Sequence, residues 1–127
     1  MNTLTPPKRL MIAAILVMVS TMSMAAMAVA QTAEKGVASF YSDKFQGKKT
    51  SSGEVYDKNG LTASHKKLPY GTKVKVTNVA NGKSVVLTVN DRMAASNKAV
   101  IEVSRHAAEE LGFVKTGKAT VTVEAQK

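Results

Sequence analysis

The chain has no cysteine and no tryptophan, and only three prolines, three tyrosines and three phenylalanines among its 127 residues. Without cysteine there can be no disulfide framework, no thiol nucleophile, no Cys-containing zinc site and no acylated cysteine anchor. His65 and His106 are the only histidines, too few for a transition-metal site. The shortage of aromatics argues against a base-stacking platform for nucleic acid. No Gly-rich phosphate loop, calcium-loop spacing or Gly-x-Ser-x-Gly elbow occurs. Acidic residues are also scarce, 9 against 18 basic ones, for a formal net charge of +9. A surface that basic suits a polyanionic polymer.

The first thirty residues carry the long apolar run. Lys8 and Arg9 precede an unbroken apolar stretch from Leu10 to Val19, and Ala28-Val29-Ala30 before Gln31 has the small-x-small form of a cleavage site. Ser20, Thr21 and Ser23 interrupt the run, which favours a cleaved leader over a retained membrane anchor. The expectation is a secretory signal over 1–30, a short flexible lead-in over 31–35, and one domain over 36–125. An exported, periplasmic or secreted location follows, with no nucleic-acid partner. An anionic cell-wall polymer fits both the charge and the compartment.

Within the domain, Gly36 to Tyr41 reads as a first strand, and Ser42 to Asn59, rich in Lys, Ser, Gly and Asp, as a long loop of the functional kind. Leu61 to Ser64 is a short strand, and Leu68-Pro69-Tyr70-Gly71 a turn. Lys73 to Asn78 alternates apolar and polar, Asn81-Gly82 signals a hairpin, and Lys83 to Asn90 is the return strand. Asp91 to Lys98 reads as a loop and Ala99 to Val103 as another strand. Ser104 is placed to cap a helix over Arg105 to Leu111 that Gly112 ends, and Lys118 to Glu124 is the last strand. Short strands with one short helix and no βαβ rhythm predict an all-β barrel or sandwich.

Two stretches could carry chemistry. Glu54 and Asp57 lie three residues apart with His65 eight further on, and Asp91-Arg92 ends the best strand. Glycoside cleavage needs two carboxyl groups in different protonation states, one to protonate the leaving oxygen and one to stabilise positive charge. Tyr41, Phe45, Tyr56 and Tyr70 fall in or near the same loops, where core packing and sugar stacking are both open to them. The bland alternative is solvated loop charges and an Asp91-Arg92 turn ion pair.

Several segments, in this order, resemble the rare lipoprotein A family of bacterial peptidoglycan lytic transglycosylases. They are Gly36-Val37-Ala38-Ser39-Phe40-Tyr41, Thr50-Ser51-Ser52-Gly53-Glu54-Val55-Tyr56-Asp57, Leu61-Thr62-Ala63-Ser64-His65, Leu68-Pro69-Tyr70-Gly71-Thr72, Val89-Asn90-Asp91-Arg92 and Ile101-Glu102-Val103-Ser104. The resemblance implies a small six-stranded double-psi β-barrel with one short helix. It implies peptidoglycan glycan strands as substrate and no cofactor. The implied reaction is endolytic cleavage between MurNAc and GlcNAc, in which the muramic C6 hydroxyl attacks its own anomeric carbon and leaves a 1,6-anhydro end. Carried over by position, the acids tied to activity fall on Asp91, Glu54 and Asp57, with His65 as their partner. Tyr41, Tyr56, Tyr70 and Arg92 are the substrate-binding set.

The chain departs from the family pattern in two motifs. Met93-Ala94 follows Asp91-Arg92 where Gly-Pro is usual, and Glu102 stands one methylene longer than the usual Asp at a possible site acid. A monomeric single domain without a lipid anchor or a separate glycan-binding module is expected. The competing expectations are a non-catalytic, expansin-like wall-binding domain using the same groove, and a small exported interaction protein or inhibitor built on the same barrel.

Overall fold

The computed structural model describes residues 33–126, so the expected signal over 1–30 lies outside the described residues. Six strands, β1 (Ala33–Phe40), β2 (Thr62–His65), β3 (Lys73–Asn78), β4 (Ser84–Arg92), β5 (Ile101–Val103) and β6 (Ala119–Ala125), close into a barrel in the order β1-β5-β2-β4-β3-β6. The β1–β5 and β2–β4 pairs are parallel and the other four antiparallel. Closure leaves no unpaired edge, which a domain with this few residues otherwise has to guard. Val74, Val76, Leu87, Val89, Ile101, Val103, Val121 and Val123 fill the interior from alternate strand positions.

The β3–β4 hairpin forms where the alternation predicts it, and Gly82 takes the left-handed conformation at φ +75°. The α-helix α1 (Arg105–Leu111), the one α-helix among the described residues, is capped by the Ser104 side chain, which accepts from the Ala107 N–H, and is stopped by Gly112 at φ +79°. Ala107, Ala108 and Leu111 face the core. The carbonyl end of α1 is held by the hairpin: Asn78 and Asn81 each donate a side-chain N–H to the Leu111 carbonyl, at 2.9 and 3.0 Å. Asn78 is buried, and its side-chain oxygen also accepts from the Ala80 N–H. Asn78→Ala is therefore expected to cost about 1–3 kcal/mol, read as a lower denaturant midpoint at unchanged slope.

Most strand ends differ from the sequence expectations by one to three residues, and three of the differences matter for the site. β1 starts at Ala33, so Ala33, Glu34 and Lys35 are strand and not lead-in, because β6 continues to Glu124 and needs a partner along that edge. β2 ends at His65, one residue later than expected. β4 runs through Asp91 and Arg92, which pair with Ser64 and His65 and so belong to the barrel wall. The long loop after β1 is not open coil. It folds back on itself through a Lys49–Val55 bridge and through Gly47 N–H to the Tyr56 carbonyl and Tyr56 N–H to the Lys48 carbonyl.

Candidate functional site

Two parallel pairings and one antiparallel pairing bring four residues into one row across the barrel wall. Ser39 of β1 opposes Glu102 of β5, Glu102 opposes Ser64 of β2, and Ser64 opposes Asp91 of β4. Side chains at paired positions share a face, and the neighbours Ala38, Ala63, Ile101 and Val103 point into the core. Ser39, Glu102, Ser64 and Asp91 therefore project from the outside of the wall. A register shift between Ala63 and Ser64 makes this possible: Ala63 pairs with Val89, but Ser64 pairs with Asp91, leaving Asn90 as the extra residue. Without that bulge Ser64 would face Asn90. Bulges beside functional sites commonly re-aim a side chain in this way.

The loop after β1 roofs this row. Tyr41 and Tyr56 stack with ring centroids 4.3 Å apart and 14° between planes, and Phe45 meets Tyr41 edge-on at 6.1 Å. The Tyr56 hydroxyl accepts from the Arg105 N–H at 3.1 Å, so the stack is pinned to the start of α1. Thr50 ties the loop tip to β4 by donating to the Asn90 carbonyl at 3.0 Å, within reach of the Glu54 carbonyl at 2.8 Å. Between loop and wall lies a cavity of about 220 Å³ walled by Tyr41, Tyr56, Phe45, Lys48, Asp91 and Glu102 among others. That is below the usual size of an enclosing small-molecule pocket and suits one unit of a longer chain.

Asp91 is the best-held side chain in the cavity. One carboxylate oxygen accepts from the Tyr41 hydroxyl at 2.5 Å, and the other from the Ser51 and Arg92 N–H groups, both at 2.9 Å. Partial burial pushes its carboxyl up, but these donors outweigh burial and hold it below 3.8, so Asp91 is ionised at neutral pH. Tyr41 moves the other way. Burial and the adjacent Asp91 carboxylate push its phenol well above the usual value, which keeps it a donor. Glu102 shares the cavity, and burial followed by the charge of Asp91 raises its carboxyl above 4.5. Two carboxyl groups in one cavity thus have acidities driven apart in opposite directions.

The stability consequence of Glu102 has a definite sign. A carboxyl raised on folding contributes stability below its unfolded value, and this is lost as pH climbs through its folded value. Glu102→Gln is expected to melt above the wild type at pH 7 and no higher at pH 4, by calorimetry at the two pH values.

Of the four residues expected to carry chemistry, only Asp91 walls the cavity among the described residues. Glu54 is exposed on the loop tip, its N–H donating to Ser52 Oγ. Asp57 is exposed and accepts from the Asn59 N–H in a local turn. His65 follows Ser64 on β2 and so faces the opposite side of the wall. Its Nδ1 accepts from the Lys67 and Leu68 N–H groups, both at 3.1 Å, and its Nε2 meets Glu34 at 3.0 Å. Of the expected substrate-binding set, Tyr41 and Tyr56 are cavity walls. Tyr70 lies under the Arg92 guanidinium, 4.8 Å from ring centroid to Cζ, and Arg92 donates to the His65 carbonyl at 2.9 Å. Glu102 was marked in sequence only against the family pattern, as a possible site acid in the Ile101-Glu102-Val103-Ser104 segment, and Ser39 and Ser64 carried no signal of their own. Their importance comes from pairing across distant strands.

The family model described as lytic transglycolase matches residues 33–123. The chain belongs to the lytic transglycolase family. The double-psi barrel expected for it is the fold present. The endolytic peptidoglycan transglycosylase RlpA of Neisseria meningitidis is 50% identical over 96 residues, covering 76% of this chain and 40% of the relative. The protein of the same name in Pseudomonas aeruginosa is 51% identical over 89 residues, covering 70% of this chain and 26% of the relative. The chain thus spans well under half the length of these curated relatives. Among solved structures, a papain inhibitor from Streptomyces superposes with a TM-score of 0.61 at 18% identity, covering 76% of this chain and 96% of the other. An expansin from Clavibacter michiganensis in complex with cellohexaose gives 0.59 at 19% identity, covering 75% and 50%. At such identities these two likenesses speak to the fold alone.

Proposed function

We propose that this lytic transglycolase domain is an endolytic peptidoglycan transglycosylase that cuts glycan strands between MurNAc and GlcNAc and leaves 1,6-anhydro-MurNAc ends. The observation that carries the reading is Asp91, an ionised carboxylate held by three donors in an aromatic-walled cavity that is open to a polymer. A preorganised anion of this kind stabilises the positive charge that builds at the anomeric carbon as the glycosidic bond breaks. The attacking group is the sugar's own C6 hydroxyl, so no water has to be positioned. The aromatic walls offer a face for the sugar ring. Lys48 and Lys49 at the cavity rim and Arg92 beside Asp91 favour an anionic wall polymer.

In this reading Glu54 meets the glycan from the loop tip, Asp57 shapes the loop, and His65 acts from behind the wall. The basic charge and the names of the relatives support action outside the cytoplasm on the cell wall. In this reading the protein works as a monomer exported behind the leader of residues 1–30. The test is incubation of the purified protein with peptidoglycan, followed by mass spectrometry. Anhydro-ended muropeptides support the enzyme. Salt-sensitive co-sedimentation with the wall and no product would instead establish the expansin-like binding role, which the same lysine rim would serve.

A further inference from the structure

We propose that the wall strand is gripped a second time, in a separate cavity rimmed by Lys98 and Lys118 that takes a carboxylate lying next to a methyl group. This subsite rests on the transglycosylase reading above and extends its substrate along the barrel wall. The second cavity, about 290 Å³, is lined by Val37, Ser39, Asn97, Lys98, Ala99 and Lys118. It neighbours the first: Glu102 walls one and Ser39 the other, the two residues are paired across β5 and β1, and the Ser39 hydroxyl bonds to the Glu102 carboxyl. From Asp91 the row through Ser64 and Glu102 reaches Ser39 after three strand spacings, roughly 14 Å along the wall. A ligand that occupies both cavities is therefore a chain longer than the unit held at Asp91.

The lining fits that chemistry. Lys98 and Lys118 are exposed, and neither is paired with an acid among the described residues. No carboxyl group lines the cavity among the described residues either, so its charge is left for a ligand to balance. Asn97 adds a donor. Its side-chain oxygen accepts from the Ala99 N–H at 2.9 Å, and its amide nitrogen has no partner among the described residues. Val37, on the outer face of β1 and 39% exposed, joins Ala99 as the apolar part. A peptidoglycan strand offers a carboxylate beside a methyl in two places, the lactyl group of a muramic unit and the alanine end of a stem peptide.

The cations are mounted on ordered backbone. Lys118 immediately precedes β6, beside the Ala38–Ala119 pair. Lys98 ends the loop that leaves β4 after Arg92. In that loop Met93 is buried, the Asn97 N–H donates to the Ala94 carbonyl at 3.0 Å, and the Lys66 ammonium donates to the Asn97 carbonyl. This is the loop in which Met93-Ala94 replaces the family's Gly-Pro, so the departure from the pattern lies between Asp91 and the second cavity.

The experiment follows the backbone amide shifts of the labelled protein during titration with three probes. They are N-acetylmuramic acid, its methyl ester, and a muramoyl peptide ending in alanine, whose lactyl carboxyl is tied up as an amide. A free carboxylate is expected to move the amides of Ser39, Lys98 and Ala99, and the ester to leave them in place. Shifts with the acid assign the lactyl group, and shifts with the peptide alone assign the stem-peptide end. The double variant Lys98→Gln, Lys118→Gln should weaken this binding about two- to thirtyfold, the range for two exposed charge pairs. On glycan strands it should lose a similar factor, carried by KM. Lys75→Gln, on the outer face of β3 across the barrel from β5, controls for overall charge. An ester that binds as well as the acid, shifts confined to the first cavity, or an equal KM change in Lys75→Gln overturns the proposal. A wild type that makes no anhydro ends defeats the transglycosylase reading, and the titration then decides the subsite by itself.

Discussion

Asp91→Asn is expected to abolish release of anhydro-ended muropeptides, lowering the rate about 10²–10³-fold, while the barrel stays folded. The loss follows from removing the one charge that faces the anomeric carbon. The fold survives because an asparagine oxygen can still accept from the Ser51 and Arg92 N–H groups, and the Tyr41 hydroxyl can turn to accept from the new amide. A rate loss with a cooperative unfolding transition near that of the wild type separates chemistry from collapse. The pH dependence of stability supplies a second check. A carboxyl lowered on folding contributes stability above its unfolded value and loses it as pH falls through the lower folded value. Asp91→Asn should therefore be less stable than the wild type at neutral pH, with the gap closing below pH 3.8. Full activity in Asp91→Asn would remove the basis for an enzyme at this site.

His65→Ala is the second large effect, and it falls on the fold. The imidazole is buried, 5% exposed, and its Nδ1 accepts two backbone N–H groups at the turn after β2, which requires the tautomer that donates from Nε2 toward Glu34. Alanine leaves two amides without an acceptor, frees Glu34, and empties the space of the ring. The cost should be about 3 kcal/mol, lowering Tm by roughly 12–24 °C for a domain of this size. The Arg92 guanidinium bonds to the His65 backbone carbonyl, so loosening this turn also disturbs the residue after Asp91. Thermal unfolding and activity below the new transition distinguish the roles. Activity that returns on cooling below Tm marks a positioning residue. A stable but inactive His65→Ala would mean that the imidazole takes part in the chemistry directly.

The hairpin and helix were legible in sequence because their determinants are local. Lys73 to Asn78 alternates with period two, Gly82 permits the left-handed turn, Ser104 offers a hydroxyl to the first helical amides, and Gly112 accepts a φ that other residues resist. Asp91 was legible as well, since an acid at the end of a strong strand is a natural mount for a site. The strand boundaries at Ala33 and Arg92 were not, because what extends β1 and β4 is pairing with β6 and β2 and no property of the residues themselves.

By itself the sequence determined a small basic domain of short strands with one capped helix, no thiol chemistry, and an order of motifs that resembles the lytic transglycosylases. Only the tertiary structure decided which acids meet. Alternation along a strand says that neighbours such as Ser64 and His65 face opposite ways, but register says which faces which partner. The bulge at Asn90 in the parallel β2–β4 pair and the antiparallel pairing of β2 with β5 put Asp91 and Glu102 on one side of the wall and His65 on the other. Those contacts join residues far apart in the chain, where local propensity carries no information.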